Sequence, residues 1–471
     1  MRLQTVHLRV NDHTTGQPTA CRVRISDASG QEYAPFGQPL EFSTHRGEHV
    51  GGHLRLPSGR WYSIPGQCEI ALPAGQLRAQ IRKGLDYPPV DERIELLAGK
   101  KALRFTIRRE NVTLKPQAMS IDTRCHFLSP HDAALDAAAE DMDVVNVLAQ
   151  PLEVLGHNGE AYTSVPNLNA FSGQTPSLTQ HDAQVFVNTH NRHCVFGSLG
   201  LLNSHRPVFP LTFGSPDDTD DWSLRDWAGQ CHRKGGLVVW TEPFAPNKPH
   251  AGEALALAVL GEIDAYELTP DHLPAALRGW YNLLNAGVRL PIVGGSGRVN
   301  NTRPLGAMQT IDFVPEINWV DSIKLGYTKV SNGLHPNMSV VEHTAYGSAL
   351  AVTSFGRLEL IVNGEKAAES ECKDVGRQWV ANIEHKISTE GWVAVRVLDT
   401  RKSFLDEKTP TFGHTSAQWI GDPKPSPEAR AFLRDQLSKA RDWVETHGRF
   451  DLPKSKTRLL ATFDEAMAKL S

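Results

Sequence analysis

The first part of the chain alternates hydrophobic and polar residues with a period of two. V-H-L-R-V (6–10), C-R-V-R-I (21–25), L-R-A-Q-I (77–81) and A-L-R-F-T-I (102–107) show this alternation, and turn sequences rich in Gly and Pro separate them. A strand with one face on a core and the other in solvent has this period. The pattern therefore predicts an antiparallel β-sandwich over residues 1–115.

The middle of the chain, residues 116–335, has a different pattern. Short apolar runs such as D-V-V-N-V-L (143–148) and G-L-V-V-W-T (236–241) alternate with segments of helical period, for example S-L-R-D-W-A-G-Q-C-H-R-K-G (223–235). Strands that are apolar on both faces are typical of parallel sheets covered by helices. We therefore expect a distorted TIM-type α/β barrel here, with functional side chains at the carboxyl ends of its strands.

The last part, residues 336–471, returns to strand-like patterns, as in R-L-E-L-I-V-N-G-E (357–365) and G-W-V-A-V-R-V-L (391–398). After the Pro-rich G-D-P-K-P-S-P, residues 429–444 place apolar side chains near one face of a helix. The predicted fold is thus a multidomain α/β protein. Its barrel is flanked by an N-terminal β-sandwich and by a C-terminal β-rich region with a helical tail.

Composition narrows the classes of function. Of 471 residues, 40% are hydrophobic and 22% are charged, as in ordinary soluble globular proteins. A net charge of -4 provides no basic surface for nucleic acids or anionic membranes. No run approaches the roughly 18 apolar residues that span a bilayer, and the first residues lack the pattern of a secretory signal. Since the six cysteines also include no C-x-x-C pair, we expect a cytoplasmic protein without nucleic-acid or membrane partners.

Polar residues follow several of the predicted barrel strands. Arg124 and His126 follow the first strand, His190 follows V-F-V-N-T, and Glu242 follows L-V-V-W-T. Two imidazoles and one carboxylate are a ligand set that zinc accepts. His126, His190 and Glu242 could therefore hold one divalent ion, Zn or Mn. With 20 histidines in the chain, ordinary surface or core histidines explain these positions as well.

Two further patterns near the predicted barrel mouth have simpler alternatives. G-G-S-G (294–297) resembles a phosphate-binding loop, but no G-K-[ST] follows it, so a turn explains it. Cys125 and Cys194 lie close to the predicted mouth along the chain. A cysteine nucleophile activated by His126 or His193 therefore stays open as an alternative.

Several segments, in this order, carry a resemblance to a known family: I-D-T-R-C-H-F-L-S-P-H-D, V-N-T-H-N-R-H-C-V-F-G-S, G-G-L-V-V-W-T-E-P-F and P-I-V-G-G-S-G. In them the chain resembles the CehA/McbA-type (carbaryl-hydrolase-type) family of the PHP (polymerase and histidinol phosphatase) superfamily. The resemblance implies a PHP-like barrel between two β-rich regions. It also implies a metal-dependent hydrolase with a multinuclear site at the barrel mouth.

The family's ligand positions are only partly kept. The D-T-H-V-H motif of the family places its histidines on Arg124 and His126, so one of the two remains. A family glutamate falls on His190 and a family histidine falls on Glu242, which exchanges one ligand type for the other.

The remaining positions, Ser198 and Gly297 (or Ser296), carry no good ligand. At position 124 a guanidinium places a permanent cation where relatives bind metal ions. The resemblance therefore implies one metal ion at most, and the site is equally consistent with none.

Three hypotheses about function follow. The first is a divergent hydrolase of an ester, amide, carbamate or phosphoester, with Arg124, His126, His190 and Glu242 as catalytic residues and Arg124 stabilising an oxyanion. The second is a catalytically lapsed relative that serves as a binding or assembly protein, in which an Arg–Glu pair with a nearby His binds an anionic ligand. The third is a metal-free enzyme with Glu242 or a His as general base. We expect a small-molecule ligand at the barrel mouth, and a homo-oligomer is compatible with the sequence.

Overall fold

The computed structural model describes residues 3–39, 41–43, 49–110, 118–155, 160–214, 218–312 and 317–471. Within these residues strands outnumber helices. The helices are α1 (Pro130–Ala139), α2 (Leu224–Arg233), α3 (Gly252–Leu260), α4 (Leu273–Asn285), α5 (Trp319–Leu325), α6 (Pro427–His447) and α7 (Pro453–Lys469), with one 3-10 turn at Leu168–Ala170.

Two sheets packed face to face form the core of the N-terminal region. Its strands are β1 (Leu3–Asp12), β2 (Cys21–Asp27), β3 (Glu32–Tyr33), β4 (Phe42–Ser43), β5 (His49–Val50), β6 (Leu54–Leu56), β7 (Gly59–Ile64), β8 (Gln67–Pro73), β9 (Gly75–Arg82), β10 (Val90–Leu96) and β11 (Ala102–Ile107). One sheet has the order β11-β1-β8 and the other β10-β9-β2-β7-β6, and β4 and β5 pair separately. Alternate residues of β1 and β2, among them Val6, Leu8 and Val23, are buried in a core that both sheets share.

Most strands of the central region belong to one large sheet. They are β12 (Met119–Cys125), β13 (Val144–Ala149), β14 (Leu152–Leu155), β15 (Ala161–Ser164), β16 (Leu178–Gln180), β17 (Ala183–His193), β18 (Gly197–Leu202), β19 (Thr212–Phe213), β20 (Leu237–Thr241), β21 (Ala265–Leu268), β22 (Ile292–Gly294), β23 (Gln309–Asp312) and β24 (Thr328–Ser331). The sheet runs in the order β22-β21-β20-β18-β17-β13-β12-β23-β24 and continues into the C-terminal strands.

The C-terminal strands extend this sheet and add a smaller one. They are β25 (His335–Val341), β26 (Thr344–Ala351), β27 (Arg357–Val362), β28 (Glu365–Glu371), β29 (Lys373–Asp374), β30 (Trp379–Lys386), β31 (Gly391–Lys402), β32 (Pro410–Thr415) and β33 (Gln418–Ile420). The path β24-β32-β31-β27-β28 prolongs the large sheet, and β25-β26-β30-β29 forms a separate sheet. The predicted domain boundary at residue 335 therefore falls within a region where one hydrogen-bonded sheet continues on both sides.

The prediction of an α/β fold with a TIM-type barrel is wrong. A TIM barrel has eight parallel strands, each followed by a helix, whereas this protein is rich in strands and its large sheet is mixed. Strand β18 is antiparallel to both β17 and β20, and β23 is antiparallel to β12. The apolar strands misled the prediction because helices cover this sheet too, so strands of either direction are buried on both faces.

Helices and the curved sheet enclose the largest core. Trp227 of α2, Trp240 of β20 and Trp280 of α4 are buried in it together with Leu433 of α6 and Phe463 of α7. The predicted amphipathic tail helix thus packs onto the central region through its apolar face.

The far edge of the sheet bends back toward β12. Gly294 at the end of β22 donates its N–H to Thr310 Oγ1 of β23 at 2.7 Å, and Cys125 pairs with Arg298 just beyond β22. The carboxyl ends of β12, β17, β20, β21 and β22 are consequently drawn toward one side of the molecule.

Candidate functional site

The four residues predicted from the sequence form two pairs at the ends of these strands. Arg124 Nη1 lies 3.2 Å from Glu242 Oε1, and the rings of His126 and His190 have their centroids 5.2 Å apart. The charges of Arg124 and Glu242 both act on the His126 ring. Together with Glu267, these residues are called the strand-end site below.

Glu267 is the member of the site that the sequence reasoning missed. It lies on β21, its side chain is fully buried, and it accepts hydrogen bonds from Arg124 Nε at 2.8 Å (Oε1) and 3.1 Å (Oε2). The signal for it was present, since A-Y-E-L places a carboxylate inside an apolar strand, where a charge needs a partner. Although burial opposes the charge of Arg124, the carboxylates of Glu267 and Glu242 raise the pKa of Arg124 above its ordinary value.

Asp122 fixes the backbone that carries Arg124. Its Oδ1 accepts hydrogen bonds from Arg124 N at 3.0 Å and from Ser296 N at 2.9 Å, and its Oδ2 accepts one from Gly306 N at 3.1 Å. Arg124 is thus held at its backbone as well as at its guanidinium. The side chain has little freedom to turn toward solvent, and only 4% of it is exposed.

His126 is a neutral imidazole with one free nitrogen. Its Nδ1 lies 2.8 Å from the Leu148 carbonyl oxygen, so Nδ1 carries the proton and donates a hydrogen bond to this oxygen. Nε2 is buried and has no hydrogen-bond partner within the described residues. Burial, reinforced by the charge of Arg124, lowers the pKa of His126 to about 3.

His190 uses both ring nitrogens in a chain of polar side chains. Nδ1 lies 2.9 Å from Gln150 Oε1, and Nε2 lies 2.9 Å from Thr241 Oγ1, which also lies 2.9 Å from Ser198 Oγ. Burial, together with the neighbouring His126 ring and the charge of Arg124, lowers the pKa of His190 well below its ordinary value. His190 is therefore neutral and fully engaged.

Glu242 is the carboxylate of the site that reaches solvent. Its side chain is 32% exposed, and Oε2 lies 4.0 Å from Arg192 Nη2. Burial alone would raise the pKa of Glu242, but the guanidinium groups of Arg124 and Arg192 outweigh burial and lower it. The backbone of Glu242 has φ of +51°, a left-handed conformation that costs energy for residues other than Gly and is concentrated at functional sites.

These side chains do not fit a metal centre. Both nitrogens of His190 are engaged, and Glu242 faces the guanidinium of Arg124. Of the three predicted ligands, only His126 therefore has a free lone pair to offer a metal ion, on Nε2. Among the described residues no group of three His, Cys, Asp or Glu side chains is arranged to hold a metal ion. A single ion on His126, His190 and Glu242 stays a prediction that this geometry does not support.

The cysteine alternative gains no support either. Burial raises the pKa of Cys125 well above its ordinary value, and its Sγ faces the Asn146 carbonyl oxygen. Cys194 is exposed, but burial of its thiol raises its pKa too, and its Sγ lies 2.8 Å from Gly214 O. Neither thiol is prepared as a thiolate nucleophile.

Comparison with known proteins assigns no family. No protein-family model matches the chain, and no curated protein matches it. Two solved structures are similar at a low level: BcpA, the major pilin subunit of Bacillus cereus, and a single-residue variant of it. Each has 6% sequence identity and a TM-score of 0.18, and the match covers 89% of this chain and 69% of the pilin chain. Likeness at this level supports no inference about fold or function.

The hydrolase function that the family resemblance implies depended on the predicted barrel, and it therefore loses that structural support. In the part of the chain that the structure describes, no helix combines the length and the apolar character needed to cross a bilayer. What remains to be explained is an ordered group of charged side chains, partly open to solvent, at the strand-end site.

Proposed function

We propose that the chain is a binding protein whose strand-end site takes a small carboxylic acid. This is the binding alternative among the hypotheses drawn from the sequence. The observation that carries it is the placement of Arg124 Nη2. No hydrogen bond links this nitrogen to another described residue. A Cβ atom at Gly297 would lie 3.1 Å from it, so the glycine leaves it uncovered.

The local charge favours an anion. Arg124 is balanced by buried carboxylates on its inner side. Arg192 and Lys248 both act on the solvent-reaching carboxylate of Glu242, so two further cations share one anion there. A planar guanidinium with free N–H groups matches the geometry of a carboxylate.

Two further features support binding of a carboxylic acid with a neighbouring donor group. Arg192 is 46% exposed beside Glu242 and can turn toward a ligand without leaving a buried charge unpaired. The lone pair on His126 Nε2 can accept a hydrogen bond from a hydroxyl or amino group of the ligand. We therefore expect 2-hydroxy acids to bind more tightly than acids without a hydroxyl group.

The experiment measures the thermal midpoint of unfolding of the full chain in lactate, acetate, inorganic phosphate and chloride at equal ionic strength. A ligand that binds only the folded state raises the midpoint with concentration. We expect the largest rise with lactate, a smaller one with acetate and none with chloride. No rise with either carboxylate would contradict the proposal. A rise with phosphate alone would identify the ligand as a phosphate compound rather than a carboxylic acid.

Variants locate the binding. Arg192→Gln removes one charged partner and is expected to weaken lactate binding about 10-fold, since a hydrogen bond to a charged group contributes roughly 1.5 kcal/mol. The control Arg434→Gln changes the same charge on the exposed face of α6, far along the chain from the strand-end site. Equal weakening in both variants would point to general electrostatics. Turnover of an aryl ester that is lost in Glu242→Gln would favour an enzyme instead.

A further inference from the structure

Two cavities outside the strand-end site differ in what their walls leave unpaired. The larger one, about 680 Å³, lies between the N-terminal sheets and α1. Lys83 in its wall donates to Ala20 O at 2.9 Å and to Ala138 O at 2.6 Å. Arg109 there forms ion pairs with Asp86 and Asp141. Both Lys83 and Arg109 thus have partners within the protein, so neither cation is left to attract a ligand.

The smaller cavity has room for about 20 Å³, and several of its polar wall atoms are unsatisfied. Gln38 Oε1, His53 Nε2 and Arg298 Nη1 all belong to residues that line it, and all three atoms are buried without a hydrogen-bond partner in the described part of the chain. Arg298 is only 2% exposed. Buried polar atoms without partners are costly, and such atoms in native structures usually contact ordered water.

The hydrogen-bonding character of the three atoms defines the occupant. Arg298 Nη1 can only donate, and Gln38 Oε1 can only accept. His53 Nδ1 lies 3.4 Å from Glu41 Oε2, which places the imidazole proton on Nδ1 and a lone pair on Nε2. One hydrogen-bond donor and two acceptors match a molecule that accepts one hydrogen bond and donates two.

We propose that this cavity is a binding site for a single water molecule. The water accepts a hydrogen bond from Arg298 Nη1 and donates to Gln38 Oε1 and His53 Nε2. The volume of the cavity agrees with this proposal, since a cavity needs roughly 10–15 Å³ to hold one water. The number of partners agrees too, because buried waters typically make about three hydrogen bonds. A small anion fits less well, because it would meet the lone pairs of Gln38 and His53.

The water makes Arg298 a positioning residue that joins the N-terminal region to the strand-end site. The carbonyl oxygen of Arg298 accepts a hydrogen bond from His126 N at 2.8 Å, and Gly297 N donates to Arg124 O at 2.9 Å. Through its guanidinium, the same residue reaches the water shared with Gln38 and His53. This placement does not depend on which ligand the strand-end site binds.

A crystal structure of the full chain, at a resolution that shows ordered solvent, tests the proposal directly. The expected result is one density peak within hydrogen-bonding distance of all three atoms. An empty cavity, or direct contacts among the three side chains, would overturn it. A crystal soaked in bromide provides the second arm, in which an anomalous peak at this position would show an anion site.

A variant gives an independent measurement in solution. His53→Phe keeps a ring of similar size but removes the acceptor, so we expect the water peak to disappear and the thermal midpoint of unfolding to fall. The control His131→Phe makes the same change at an exposed position of α1 and is expected to leave the midpoint unchanged. An unchanged midpoint in His53→Phe, with the peak still present, would contradict the assignment of His53 as an acceptor.

Discussion

Arg124 and Glu267 form an ion pair that is closed to solvent on both sides. Arg124 Nε donates to both carboxylate oxygens of Glu267, at 2.8 and 3.1 Å, while the two side chains are 4% and 0% exposed. Because burying either charge alone is expensive, each residue fixes the other. The pair therefore determines where the remaining guanidinium nitrogens of Arg124 point.

Breaking this pair from the acidic side is expected to destabilise the protein strongly. Glu267→Leu leaves Arg124 as a buried cation with Glu242 as its remaining partner, at 3.2 Å. We expect the free energy of unfolding, measured by urea denaturation, to fall by about 3–5 kcal/mol. The control Glu369→Leu removes an exposed partner of Arg357 and is expected to change little.

A double variant tests whether the lost stability comes from the uncompensated charge of Arg124. Replacing both charges, in Arg124→Met with Glu267→Leu, removes the uncompensated cation, so most of the lost stability is expected to return. If Glu267→Leu alone were as stable as the unchanged protein, Arg124 would have another partner and the described pairing would be wrong.

Glu253 is expected to make stability depend on pH. This buried carboxyl group of α3 accepts hydrogen bonds from Leu224 N at 2.7 Å and Arg225 N at 3.2 Å at the start of α2. Burial raises its pKa from 4.5 to about 7, although these N–H groups lower it. A carboxyl group that binds its proton more tightly in the folded state stabilises the fold at low pH. This contribution is lost as pH rises from about 4.5 to about 7.

The variant Glu253→Gln cannot titrate, so it is expected to lose that part of the pH dependence, about 3 kcal/mol across the window. Burial also raises the pKa of Glu140 to about 7, so the quantity to compare is the difference between the two proteins at each pH. Urea denaturation at several pH values measures it, with Glu445→Gln on α6 as an exposed control. Parallel curves for the unchanged protein and Glu253→Gln would contradict the prediction.

Local periodicity was sufficient to locate many of the elements. The alternation at 102–107 coincides with β11 (Ala102–Ile107), and the helical period at 223–235 contains α2 (Leu224–Arg233). The arrangement of the strands was not readable in this way. A turn of three residues between β17 and β18 makes an antiparallel hairpin where the prediction required a helical crossover. Hydrophobicity alone does not encode strand direction, so the barrel prediction failed at this point.

The site was only partly predictable for a related reason. Polar residues after strands led to Arg124, His126, His190 and Glu242, which the structure does place together. Glu267 was overlooked because the predicted strand D-A-Y-E-L (264–268) contains it, whereas the other four residues follow predicted strands. Which charges pair depends on side-chain geometry across strands that are distant in sequence, and a single sequence does not report that.

The two histidines are expected to stay neutral across the physiological pH range. Burial lowers the pKa of His126 to about 3, whereas the unfolded chain titrates near its ordinary value of 6.5. Stability from this residue is therefore present above about pH 6.5 and is lost as pH falls toward 3.

Nitrogen-15 NMR of the imidazoles checks this prediction. We expect the His126 signals of a neutral ring with the proton on Nδ1, unchanged between about pH 5 and pH 8. Comparison with His126→Gln assigns them, and the solvent-exposed histidines of the same sample serve as the control. Titration of His126 near pH 6.5 would mean that the ring is more open to water than the structure shows.

Removal of metal ions is expected to leave the protein unchanged. His190 has no free nitrogen, and the guanidinium of Arg124 lies beside the carboxylates of Glu242 and Glu267, so His126 Nε2 alone among these side chains is left as a metal ligand, which is too few to hold an ion. Dialysis against a chelator should not move the thermal midpoint, and metal analysis should show only background. About one ion per chain that is lost in His126→Ala would contradict this. Arg124→His gives the positive counterpart, since it removes the guanidinium from both carboxylates and adds a second imidazole beside the unpaired His126 Nε2. We expect that variant to gain one divalent ion.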